Sequence, residues 1–319
     1  MARPWMGEIS RILEFVAEPE PFSTSGWASA VLATEQGRAS EVLTEIVWGT
    51  AIIEMSNFPP AVDGYILLSK VLLEVGHVAR AIQALHRATT CPGGLSATAV
   101  GRLPLQAEAR WTLDGPTSLS DLIRAETERQ RGWTAPIPAA ELAYARGLAA
   151  TTDDAARRHL ADASDRYRAM EGWYYISEVE RWLARLDRLH GDLDRAQARI
   201  EEGLAWHIRE GTRPREARDR TELSLIALGR GQPDLARDQA HQALDLIHGG
   251  DTRLYEPAAV LALAAAERAL GHTATADAHD TRWRRLVRGI SARGLEAALE
   301  RDAAWAAARR SPARPTPGT

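Results

Sequence analysis

Residues 178–204 read EVERWLARLDRLHGDLDRAQARIEEGL, and the spacing inside this stretch decides the fold. Leu183 and Ala184 fall on a first helix, Gly191 at its end, and Ala196 and Gly203 on a second. The same order returns at Leu68, Ser69, Gly76, Ala81 and Ala88, and again at Leu223, Ser224, Gly231, Ala236 and Ala243. It returns once more at Leu263, Ala264, Gly271 and Ala276, failing only where Trp283 takes the last small position. Small residues seven before and five after the glycine let two antiparallel helices approach closely. The glycine ends the first helix in the left-handed conformation at little steric cost. Such a pair cannot bury its apolar face alone and must stack on neighbours.

The glycine ladder carries the period outward. Gly37, Gly76 and Gly115 are 39 residues apart, and Gly191, Gly231 and Gly271 are 40 apart. Between the two runs, Thr151-Thr152 stands where a glycine is expected, with helices at about 139–150 and 153–170. Asp153 and Asp154 then place acids in a first helical turn, where the helix dipole favours them. The reading is all-α: one helical-repeat domain over residues 1–310, with pairs ending near 56, 92, 132, 170, 209, 248 and 288. Capping helices are expected over 4–17 and 291–309, and a disordered Pro-rich tail over 311–319.

Composition sets bounds on function. Of 319 residues, 45% are apolar and 26% charged, ordinary values for a soluble globular chain. A net charge of −4 argues against a nucleic-acid partner held on a basic surface. Cys91 is the only cysteine, so there is no intramolecular disulfide framework and no multi-cysteine metal site. The opening MARPWMGEIS has no apolar run of signal length. The most apolar window, 258–266, falls well short of the ~20 residues a membrane span needs. A cytoplasmic protein with no membrane partner is expected.

The offsets of leucine, small residue, glycine, alanine and small residue resemble the tetratricopeptide repeat (TPR). The resemblance is strong in four units and weak in three. It implies a right-handed α-solenoid of about seven TPR-like helix pairs. The period of 39–40 departs from the usual ~34, and is similar to that of the TPR sensor regions of large actinobacterial LuxR-like and signal-transducing ATPase regulators. The other domains of such regulators find no counterpart. The only lysine, Lys70, sits between Ser69 and Val71, which excludes a Gly-Lys-Ser/Thr phosphate loop.

In TPR arrays the first helix of each pair lines the concave groove. Counting back thirteen, ten, six and three residues from the glycine gives Glu178, Arg181, Arg185 and Arg188 in the fifth unit. The same count gives Ile66 and Lys70 in the second unit, Arg218 and Thr221 in the sixth, and Trp27 and Val31 in the first. Guanidinium groups suit bidentate recognition of carboxylates. The resemblance therefore implies a scaffold or sensor gripping an acidic peptide, with Arg181, Arg185, Arg188, Glu178, Lys70 and Trp27 as the groove. A solvated charged face is the competing account. On the peptide reading, charge reversal at Arg181 and Arg185 should abolish binding and leave the melting temperature nearly unchanged.

Trp173, Tyr174 and Tyr175, with Trp182 and Trp206, form the densest aromatic cluster, either a ligand platform or inter-repeat packing. The nine histidines are scattered: His241 and His248, and His272 and His279, are seven apart, without a metal-binding HExxH. Asp153, Asp154, Asp162 and Asp165 near His159 suggest acid–base chemistry, but they alternate with Arg157, Arg158 and Arg166 as intrahelical pairs would. No nucleophile signature appears. The expectation is a non-enzymatic protein- or peptide-binding module without cofactor or metal. A helical-repeat enzyme or accessory enclosing a small molecule, and a homodimerisation module, are the alternatives. An enclosed pocket with converging carboxylates is what the small-molecule alternative requires.

Overall fold

The computed structural model describes residues 24–55, 61–90, 102–131 and 135–309. The capping helix expected over 4–17 and the tail over 311–319 lie outside them. Among the described residues the chain is all-helical, with no strand. The first helices are α1 (Thr24–Glu35), α2 (Ala39–Met55), α3 (Ala61–Glu74), α4 (Val78–Thr90) and α5 (Arg102–Asp114). A short 3₁₀ turn (Pro116–Leu119) leads into α6 (Ser120–Arg129), α7 (Pro136–Ala149), α8 (Asp153–Ala169), α9 (Trp173–His190) and α10 (Leu193–Glu210). Then come α11 (Arg213–Gly229), α12 (Pro233–His248), α13 (Glu256–Ala269), α14 (Thr273–Gly289) and α15 (Arg293–Ala308). Consecutive helices pack as pairs, α3 on α4, α7 on α8, α9 on α10, α11 on α12 and α13 on α14.

The repeat spacing acts at close quarters. Ala184, Ala196, Ser69, Ala81, Ala236, Ala243, Ala264 and Ala276 are all buried. Ser224 Oγ donates to the Ala236 carbonyl at 2.6 Å, so the small positions before and after one glycine touch across the pair. The glycines at the six ladder positions all have positive φ, from 72° at Gly231 to 89° at Gly191. A side chain there would strain the turn. Where threonine replaces glycine the device changes: Thr152 caps α8, its Oγ1 accepting from Ala155 N at 3.3 Å. Prolines sit in the first turns of α7, α11, α12 and α13, where the missing N–H has no helical partner to lose. Trp283, the one departure from the small-residue rule, is fully buried with Val287 and Leu299. No further small-residue pair follows it; α15 packs there instead.

The C-terminal third returns to the N-terminal helices. Asp251, in the loop between α12 and α13, accepts at Oδ1 from Ala39 N (2.9 Å) and at Oδ2 from Ser40 N, capping α2 across more than 200 residues. Its own N–H donates to the Gly37 carbonyl at 2.9 Å, and Leu254 N donates to the Glu74 carbonyl at 3.3 Å. Leu254 belongs to the N-terminal apolar core, and Tyr255, Ile290 and Leu295 pack against both that core and the C-terminal one. Helix α15 lies against α5, α11, α13 and α14. The first helices α5, α11 and α13 therefore meet the chain's own last helix.

Candidate functional site

The count-back rule finds the molecule's centre. A cavity of about 130 Å³ is lined by Arg181, Arg185, Arg218 and Thr221, and by Leu73 and Leu225 at the same offsets. Applied to Gly115 and Gly271, the offsets also give Thr112, Ala258 and Leu261, which line it too. Four residues of α15, Leu295, Ala298, Leu299 and Asp302, complete the wall.

Around this chamber runs a chain of buried ions. Lys70 bonds Glu35, and Arg215 Nη1 bonds Glu35 at 2.5 Å and, through Nε, Glu178 at 3.0 Å. Arg218 grips Glu178 with a two-pronged fork at 2.9 and 2.6 Å and lies over the Tyr255 ring. The Tyr255 hydroxyl donates to Glu74 at 3.0 Å. On the opposite side Arg188, wholly buried, bonds Glu222 and reaches Asp302 at 2.8 Å. Arg185 donates to Asp302 at 3.2 Å and to the Ala298 carbonyl at 3.0 Å.

Most of the expected groove cations are thus engaged by carboxylates of the chain itself. Glu178 is an anchor for arginines rather than a bystander among them. Burial works against its charge, but Arg218, Arg215 and Arg181 hold its carboxyl well below the usual range. Lys70 is bonded to Glu35, whose carboxyl Arg215 and Lys70 pull down to about 2 despite burial. The Trp27 side chain lies outside the described residues. Because Arg185 holds α15 through Asp302, Arg185→Glu now carries a stability cost that the open-groove expectation did not include.

Two groups on the chamber wall are poorly satisfied. Arg181 makes no hydrogen bond among the described residues: Glu178 lies 3.5 Å from its Nη2, and its buried Nε has no partner. It stacks over Trp182, 4.8 Å from the ring centroid. Glu108 accepts from the Tyr144 hydroxyl at Oε1 and has no other bond among the described residues. Tyr144 in turn accepts from Trp182 Nε1 at 3.0 Å. Burial pushes the Glu108 carboxyl up and the Glu178 charge adds to the push, with Arg218 and Arg181 only partly offsetting them.

Among the described side chains of the aromatic cluster, Trp182 reaches this site, set edge to face on Trp111 at 4.6 Å. Tyr175 stacks on Tyr167 at 5.0 Å among buried side chains. The side chains of Trp173 and Tyr174 lie outside the described set. Two of the acids near His159 are in surface pairs: Asp162 bonds Arg166 at 2.9 Å, and Asp153 bonds Arg301 and His190.

Sequence reading missed one constellation altogether. His207 Nδ1 lies 2.7 Å from Asp219 Oδ2 and its Nε2 lies 3.1 Å from Ser177 Oγ, the connectivity of a hydrolase triad. All three are buried and none lines the chamber. The three side chains tie α9, α10 and α11 together. Among the described residues no group of acids, histidines or cysteines could hold a metal, and no helix is long and apolar enough to cross a membrane.

Glu74 makes the seam pH-sensitive. Burial raises its carboxyl to about 7, against the pull of Lys70 and Arg215 and with Glu35 adding to the rise. The folded chain therefore binds this proton more tightly than the unfolded chain. Its stabilising effect is complete below pH ~4.5 and is lost as pH rises through about 7, a swing of roughly 3 kcal/mol. Glu35 acts in the opposite sense, supplying stability that is lost as pH falls toward about 2. Urea midpoints at pH 5 and pH 8 should fall with pH in the parent and fall much less in Glu74→Gln. Parallel curves would show that Glu74 does not titrate in this range.

Compared with protein-family models and with curated proteins, the chain matches none.

Proposed function

We propose that the chain is a non-enzymatic sensor module of the tetratricopeptide type, an α-solenoid of about seven helix pairs turned in on itself around a small-molecule chamber. The observation that carries this reading is the closure. Helix α15 covers the inward face where a peptide would lie, and an apolar chamber with several buried ionisable groups remains behind it. Concave, mostly apolar sites with few polar groups are the usual form of small-molecule sites. Ligand screening by tryptophan fluorescence is the test, because Trp111 and Trp182 line the wall. A compound that shifts the emission of the parent, but not of an Ala258→Leu variant whose chamber is filled, supports the reading. Parent and filled chains responding alike to every compound would count against it.

A second reading keeps the acidic-peptide groove. Arg185 and Arg188 do grip a carboxylate on a helix, that of Asp302 on the chain's own α15. A partner helix would have to displace α15, and Asp302→Asn should then tighten binding of an acidic helical peptide. Unchanged binding in that variant would dismiss the displacement.

A further inference from the structure

From the pairing left incomplete at the wall, we infer that the chamber takes a compact zwitterion of the α-amino-acid class, its ammonium on Glu108 and its carboxylate on Arg181. The inference rests on the small-molecule reading above and adds the chemistry of the ligand. Of the cations lining the chamber, Arg218 and Arg185 have their hydrogen bonds made, to Glu178 and to Asp302 and Ala298. Arg181 does not. It is held by stacking on Trp182 with a long contact to Glu178, so its planar donor fork can turn to a carboxylate. Of the acids, Glu222 and Asp302 are met by Arg188. Glu108 has only the Tyr144 hydroxyl, which leaves its second oxygen as an acceptor.

One under-bonded acceptor and one under-bonded donor therefore face the same space. A ligand carrying both charges satisfies both groups and brings no net charge into the interior. An amine alone leaves Arg181 as it is, and an acid alone leaves Glu108. Burying a charge without a partner is what selects against each. The raised carboxyl of Glu108 has the same sense: an ammonium placed there would return it to the ionised form. Beyond these two groups, the paired ions Arg185, Arg218, Glu222 and Asp302, and two threonines, the wall is apolar, with Leu225, Leu261 and Leu299 beside the two tryptophans, so an aliphatic or aromatic side chain fits better than a polar one. At about 130 Å³ the chamber is close to the roughly 150 Å³ that holds a benzene-sized guest, which sets the ligand at amino-acid scale.

The test is calorimetric titration of the full chain with the apolar L-amino acids from alanine to phenylalanine. For any that bind, the decarboxylated amine and the deaminated acid follow, and benzene serves as an apolar probe. At least one amino acid should bind, with its amine and acid analogues on the order of 10- to 100-fold weaker. Glu108→Gln, which keeps an acceptor for Tyr144, should weaken the amino acid by a similar factor and leave the acid analogue unchanged. Arg181→Met should do the converse. An amine or an acid that binds as tightly as its amino acid overturns the zwitterion. Benzene binding with no amino acid bound overturns it too, while leaving the chamber as a small-molecule site. No binding by any probe, benzene included, removes both readings.

Discussion

Arg188→Leu is expected to lower the unfolding free energy by about 3–5 kcal/mol, because it strands buried carboxylates. Arg188 has no solvent exposure and stands where α9, α11 and α15 meet. Its Nε bonds Glu222, its Nη2 bonds Asp302 at 2.8 Å, and its guanidinium lies 4.6 Å from the centre of the Trp305 ring. Burial works against the cation; the two carboxylates outweigh it and raise its pKa above the usual range. Asp302 keeps Arg185 in the variant, but Glu222 has no second cation within bonding distance among the described residues. The cost therefore falls mainly on Glu222, and it separates two explanations. If the loss came from packing, Arg188→Leu/Glu222→Leu would be no better than the single variant. If it came from the unpaired charge, the double variant should regain most of the stability, since an apolar pair of similar volume is often as good as a buried ion pair. Urea unfolding of the parent and both variants decides. A single-variant loss under about 1 kcal/mol would mean that Glu222 escapes its burial by moving to water.

The same residue shows how far the sequence could be read. Its place on the inward face of α9 follows from the glycine three residues later, as do the places of Arg181, Arg185 and Arg218. The periodic small residues are legible because helix packing is local, and each constraint lies within twelve residues of its partner, as Ser224 and Ala236 show. What meets Arg188 was not legible. Asp302 lies 114 residues away and Glu222 34 away, and no spacing rule connects them. The return of α15 onto the array depends on contacts such as Asp251 with Ala39, which look in the sequence like an ordinary loop acid after two glycines. Glu108 and Trp111 were passed over for a related reason. They sit seven and four residues before Gly115, off the inward offsets, and face the chamber because α15 and α13 close it from the other side. The Ser177–His207–Asp219 network could have been suspected only by knowing that α9, α10 and α11 are neighbours.

Gly294→Ala should break this closure through the backbone and not through the loss of a side chain. In an unobstructed helix the change is favourable by roughly 0.5–1 kcal/mol, because alanine has the higher helix propensity. Here a Cβ on residue 294 would lie 1.8 Å from the Trp111 carbonyl oxygen and 2.5 Å from Gly115 N. Both are backbone atoms at the end of α5, so no rotamer change relieves the overlap. The first turn of α15 must withdraw, and with it go Arg293 from Asp114 and Leu295 from the chamber wall. The expected result is a destabilisation of at least ~3 kcal/mol, at or beyond the upper end for overpacking in a closed site. Faster amide exchange along α15, with α7 and α8 little changed, should accompany it. Gly289→Ala is the matched control, since a Cβ there meets nothing within 4 Å and should be neutral or mildly stabilising. If both variants behaved like the control, α15 would not rest on α5 in solution, and the inward face of α9 would lie open. If only Gly294→Ala loses stability, and probe binding weakens with it, then the last helix is a structural wall of the chamber. Its withdrawal would also release Arg185 and Arg188 from Asp302, which is the state a competing acidic helix would need.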